Sequence, residues 1–186
     1  VRRALLLLVP LVLVVAACDP LPPPPPPPPP VELYGDSLSV EAYNVWLWNM
    51  GGQGIDHVDH VGVGTTLHMW VPVIDAGYRR KVILAFGTND ARTDDLDAVI
   101  AEWVAVLGSL PADACVVWPK TYESSAAVTA FNTALLTELP AFPNVRVLDW
   151  NAQLQAQWLR DDGIHYLTDG TNKYGEMLVQ AAKLCS

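Results

Sequence analysis

A chain of 186 residues, 51% hydrophobic and 17% charged, has enough apolar material for one packed domain. Its formal charge of −9 excludes the clustered cations of a nucleic-acid binder; the densest basic run, Arg79-Arg80-Lys81, precedes an apolar stretch and reads as a solvated strand start. Three cysteines and four histidines show no spacing of the zinc-site type, and no metal or cofactor is expected.

In chain order, the first segment is a targeting signal rather than part of the fold. Arg2 and Arg3 precede the apolar run Ala4–Ala17, which is shorter than the roughly 20 residues of a membrane-spanning helix. Val15-Ala16-Ala17-Cys18 resembles a bacterial lipobox, so residues 1–17 are expected to be removed and Cys18 to carry lipid. The alternative is an ordinary secretory signal. Either places the protein outside the cytoplasm, on the outer face of the cell membrane or secreted, and removal of the signal leaves 9 basic against 20 acidic residues, −11. Residues 18–30 form a linker: Pro22–Pro30 is an unbroken proline run, expected to form a polyproline II stalk of about 28 Å at ~3.1 Å per residue.

Residues 31–186 alternate short apolar runs with longer periodic ones. Strands are expected at 31–34, 56–61, 81–86, 115–118 (stopped by Pro119) and 145–148, with helices at 38–49, 66–76, 93–107, 125–138 and 170–184. A loop is expected at Gly51-Gly52-Gln53-Gly54, which lacks the ending of a phosphate-binding loop. The βα alternation implies a mostly parallel, doubly wound, five-stranded sheet covered by helices on both faces, a three-layer α/β/α sandwich. Cys115 and Cys185 remain in this domain; in an oxidising compartment they can pair, closing a loop of about 70 residues, or stay as buried thiols.

In such a fold, ligands sit beyond the carboxyl ends of the strands. Four polar clusters fall there: Ser37 after the first strand, Gly64 after the second, Gly87-Thr88-Asn89-Asp90 after the third, and Asp162-Gly163-Ile164-His165 after the fifth. Ser37 and Asp36 are also good helix N-caps, so the serine alone decides nothing. A nucleophilic serine needs a base, an orienting acid and an oxyanion site. His165 is the base of suitable type, Asp162 lies three residues before it, and Asn89 offers an uncharged amide donor. Asp56-His57-Val58-Asp59-His60 looks like a metal cluster, but strand alternation splits its side chains between two faces, and a polar edge strand is the better reading. His68 reads as a surface or core histidine. Of seven tryptophans, Trp103 fits a core face; Trp46, Trp48 and Trp150 are core by default, with sugar stacking as the alternative.

YGDSLS, GTND and DDGIHY, in this order and after these strands, resemble the signature blocks of the SGNH (GDSL) hydrolase family across nearly all of residues 31–186. The resemblance implies a flavodoxin-like SGNH hydrolase fold, with Ser37 as nucleophile, His165 as base and Asp162 as its acid. It also implies an oxyanion hole formed by Ser37, Gly64 and Asn89. Gly62 competes with Gly64; the following G-x-T favours Gly64. Thr168 falls one place later than the family pattern has it, while Gly170 keeps its place. The expected activity is ester hydrolysis through an acyl-enzyme, on a small-molecule or glycan ester with a short acyl group. Acyl transfer with the same triad and an idle surface-binding module are the alternatives. The protein is expected to be monomeric, with the membrane met only through the N-terminal lipid.

Overall fold

The structure, a computed structural model, describes residues 26–77 and 80–185. The signal segment, Cys18, Pro22–Pro25 and Arg79 lie outside the described residues. Pro26–Pro30 have no regular secondary structure and lead directly into the first strand.

The strands are β1 (Val31–Gly35), β2 (His57–Val61), β3 (Lys81–Ala85), β4 (Cys115–Lys120) and β5 (Val145–Asp149). The helices are α1 (Ser37–Gly52), α2 (Leu67–Ala76), α3 (Leu96–Ser109), α4 (Ala126–Glu138) and α5 (Thr168–Leu184). All four strand pairings are parallel, in the order β2-β1-β3-β4-β5. This is the doubly wound order of the expected flavodoxin-like fold, on the parallel sheet that the βα alternation implies.

Alternate strand residues feed two separate cores. Leu33, Ile83, Ala85 and Val117 face α1 and α5. Tyr34, Val82, Leu84, Phe86, Val116 and Trp118 face α2, α3 and α4. On α1, Leu38, Ala42, Trp46 and Met50 form a buried stripe at four-residue spacing, the pattern of a helix lying on a sheet. Trp46 and Trp150 are core residues, whereas Trp48 is 83% exposed near the far end of α1.

Most boundaries shift by one to a few residues from the sequence reading, and three of the shifts have a cause in named residues. Helix α1 runs through Gly51 and Gly52, because the residue that turns the chain is Gly54, at φ 64°, a left-handed conformation costly for other residues. Strand β4 continues through Pro119 to Lys120. Its pairing with β3 ends at Val117, while its pairing with β5 carries on to Lys120, so the N–H missing from Pro119 costs no ladder bond on the β3 side. Helix α3 begins at Leu96 rather than Thr93, because the Asp95 side chain accepts from the Ala98 N–H and sets the cap there.

Cys115, at the start of β4, and Cys185, just past α5, form a disulfide with Cα atoms 5.4 Å apart. It ties the last helix to the sheet at the edge where the proline run joins. Closing a 70-residue separation restricts the unfolded chain by about 4 kcal/mol on loop entropy.

Candidate active site

Asp36 follows β1 and caps α1: its Oδ1 accepts the Leu38 N–H at 3.0 Å. The cap is therefore the aspartate, and the neighbouring Ser37, first residue of the helix, keeps its hydroxyl for another partner. That partner is His165 Nε2, 3.2 Å from Ser37 Oγ. His165 Nδ1 lies 2.7 Å from Asp162 Oδ2. The other carboxylate oxygen of Asp162 accepts the backbone N–H groups of Ile164 and His165, each at 2.9 Å.

These bonds determine protonation. The hydrogen bond from His165 and the two backbone N–H groups hold the Asp162 carboxyl well below the usual carboxylate range, so it is ionised and can only accept. The Nδ1 position of His165 must then carry the proton, and Nε2 is left as the acceptor facing the serine hydroxyl. A serine, an imidazole in the tautomer that can accept its proton, and a fixed carboxylate stand in line. Asp161, next in sequence to Asp162, is not in this line of bonds.

A second wall comes from the loops after β2 and β3, which lie at the same sheet edge as Ser37. Gly62 donates its N–H to the Gly35 carbonyl at 3.0 Å and so continues the ladder between β2 and β1. Gly64 adopts φ 72°, and a Cβ there would meet no atom within 4 Å. The backbone conformation, not crowding, calls for glycine. The hydroxyl of the buried Thr65 sits between the carbonyls of Gly62 (2.9 Å) and Gly35 (3.2 Å). Asn89 Nδ2 donates one N–H to the Thr65 carbonyl at 3.0 Å, which orients the amide and leaves its second N–H.

Two buried acids underlie this wall. Asp90 Oδ1 accepts both the Leu67 N–H, opening α2, and the Trp103 indole N–H of α3, each at 3.1 Å. Burial raises its pKa. Burial likewise pushes the Asp36 carboxyl up to about 7, with Asp90 adding to the rise and the Leu38 N–H and His165 opposing it. Neither the capping of α2 by a residue 23 positions away nor the part of Asp90 in fixing Asn89's loop was legible in the sequence, although Asp90 stands in the quoted GTND block.

The other candidates disperse as strand geometry requires. His57 and Asp59 share a face, 3.6 Å apart, and Asp59 accepts from the Trp46 indole at 2.7 Å. His60 stacks on Tyr34 across the other face, with ring centroids 4.6 Å apart. His68 is an exposed residue bonded to Glu102 at 2.6 Å, linking α2 to α3.

In sequence, the chain matches no protein-family model and no curated protein. In structure it is similar to the C-terminal catalytic domain of peptidoglycan O-acetyltransferase A from Streptococcus pneumoniae, solved with a methylsulfonyl adduct. That match has a TM-score of 0.67 at 18% identity, covering 84% of this chain and 94% of that one. A family 3 carbohydrate esterase from Clostridium thermocellum gives 0.64 at 14% identity, over 85% and 99% of the two chains. A member of the lipolytic G-D-S-L family from Veillonella parvula gives 0.63 at 15%, over 81% and 96%. The fold is thus one shared by SGNH-type hydrolases and an acyltransferase catalytic domain.

Proposed function

We propose that this chain is an exported serine esterase working through an acyl-Ser37 intermediate. The observation that carries the reading is the line Ser37 Oγ–His165 Nε2–Asp162, at 3.2 and 2.7 Å, with the tautomer set by the carboxylate. His165 takes the hydroxyl proton as Oγ attacks the ester carbonyl carbon. The negative charge that develops on the carbonyl oxygen is met by the backbone N–H groups of Ser37 and Gly64 and the second N–H of Asn89. The imidazolium then protonates the leaving alcohol. Water, deprotonated by the same nitrogen, attacks the acyl carbonyl and frees Ser37.

Acyl transfer is the second reading, because one similar catalytic domain is an O-acetyltransferase and another similar protein a carbohydrate esterase. The two reactions differ only in whether water or a sugar hydroxyl takes the acyl group. Both similarities favour a glycan substrate, and the first of them an acetyl group on it.

Localisation enters from the sequence. With Cys18 lipidated, the prolines tie the membrane to the start of β1, whereas Ser37 lies beyond the other end of that strand. The catalytic edge then faces away from the anchoring bilayer, which favours acyl groups on an extracellular polymer over those of membrane lipids.

The test is hydrolysis of p-nitrophenyl esters of increasing acyl length, with Ser37→Ala alongside. Acetyl is expected to react fastest, and Ser37→Ala to lose at least about 10³-fold of the rate. Equal rates for the two proteins end the enzyme reading. Acetylated N-acetylglucosamine oligomers, recovered when such oligomers are added to p-nitrophenyl acetate, distinguish transfer from hydrolysis.

A further inference from the structure

Ser37 and His165 are 128 positions apart in sequence, and their separation depends on how the 160–166 segment is fastened to α1. The fastening is a closed ring of polar contacts around Glu41, one turn along α1 from Ser37. Arg160 Nη2 lies 2.9 Å from Glu41 Oε1. Arg160 Nε donates to the Tyr166 carbonyl at 2.9 Å. The Tyr166 N–H donates back to Glu41 Oε2 at 3.4 Å. The Arg160 N–H, in addition, donates to the His165 carbonyl at 2.8 Å. The ring thus grips both ends of the turn that carries Asp162 and His165, through the main chain on either side of the histidine.

Two physical points make this more than a surface ion pair. The guanidinium uses two different N–H directions on two different acceptors, which a planar fork can do and an ammonium on a flexible stem does poorly. The Glu41 side chain is only 21% exposed, so its charge is compensated by named donors rather than by bulk water.

We propose that Glu41 and Arg160 are positioning residues for the Ser37–His165 pair. They hold the imidazole at hydrogen-bond distance from the nucleophile without touching the reacting atoms. The proposal rests on the esterase reading for its kinetic consequence, but not for its structural one.

The experiment uses the full chain and the variants Arg160→Gln, Glu41→Gln and the double substitution. Turnover of p-nitrophenyl acetate is expressed per active site titrated with methanesulfonyl fluoride, and the His165 Nδ1 proton is followed by NMR. Each single substitution is expected to lower kcat per titrated site about 10–100-fold with KM within about twofold, because a misplaced base costs rate and not binding. The double variant is expected to lose no more than the worse single variant, since the ring is broken once. The Nδ1 proton signal is expected to broaden in all three. Should Arg160→Gln unfold, Arg160→Lys keeps the charge and removes the fork, and the same fall in kcat is expected at a near-native melting temperature. Unchanged kcat with a sharp Nδ1 signal overturns the proposal. A wild-type chain no faster than Ser37→Ala overturns the esterase reading instead, and the NMR comparison then decides the positioning role without substrate.

Discussion

The two walls of the site are built from different materials. On one side, the exposed Gly64 and the half-buried Asn89 are backed by two buried residues: Thr65, whose hydroxyl lies between two carbonyls and whose own carbonyl takes the Asn89 amide, and Asp90, which joins α2 to α3. On the other, Asp162 and His165 occupy a turn that keeps 47% and 32% of their side chains exposed, held by its own short-range bonds and by Glu41 and Arg160. The difference matches what the proposed ester hydrolysis would ask of each wall. An oxyanion site gains from donors that do not reorganise as charge appears. A base must exchange protons with solvent and leaving group, and so cannot be sealed in.

The contrast can be broken from either side. The largest effect is expected on the exposed wall, where Asp162→Asn replaces the carboxylate that sets the tautomer; kcat should fall about 10³–10⁴-fold while the melting temperature stays close to wild type. On the wall backed by Thr65 and Asp90, Asn89→Ala removes one proposed oxyanion donor and should lower kcat by about 10²–10³, with KM for p-nitrophenyl acetate little changed. A loss from Asn89→Ala that exceeds that from Asp162→Asn would reverse the ranking of the two walls.

The smallest effect concerns stability and belongs to the buried Asp36, which feels both Asp90 and His165. The folded Asp36 titrates at about 7 rather than its usual 3.8. Between those values the folded chain keeps a proton that the unfolded chain has released, so this contribution is fully present below about pH 4 and is lost as pH rises through 7. Asp36→Asn leaves an oxygen to accept the Leu38 N–H and removes the titration. Urea unfolding at pH 5 and pH 8 should show a stability gap smaller in the variant by on the order of 2 kcal/mol. An unchanged gap would place the pH dependence elsewhere.

The fold was readable because its signals are local and periodic. The KVILA strand, the four-residue stripe of α1 and the alternation of strand with helix require no knowledge of distant residues. What escaped reading depended on partners far away. Three glycines near the end of α1 look alike in sequence, and only backbone geometry singles out Gly54. Pro119 looked like a strand terminator until the pairing on each side of β4 was known. At the site, Ser37, Asp162, His165, Gly64 and Asn89 stood out by residue type and by position after strands. Thr65, Asp90, Glu41 and Arg160 did not, because a threonine hydroxyl between two carbonyls or a glutamate facing an arginine 119 positions later leaves no sequence pattern. Capping residue type gave no help: Thr66 stands at the N-cap of α2 but makes no side-chain cap bond, and Asp90 supplies it instead.

The claim on which the rest depends is that Ser37 is an activated nucleophile. Incubation of the full chain with methanesulfonyl fluoride, followed by mass spectrometry of the peptides, tests it most directly. One methylsulfonyl adduct on Ser37 is predicted, absent from Ser37→Ala and formed far more slowly in Asp162→Asn. An unmodified chain, or an adduct on another residue with Ser37 untouched, would contradict it.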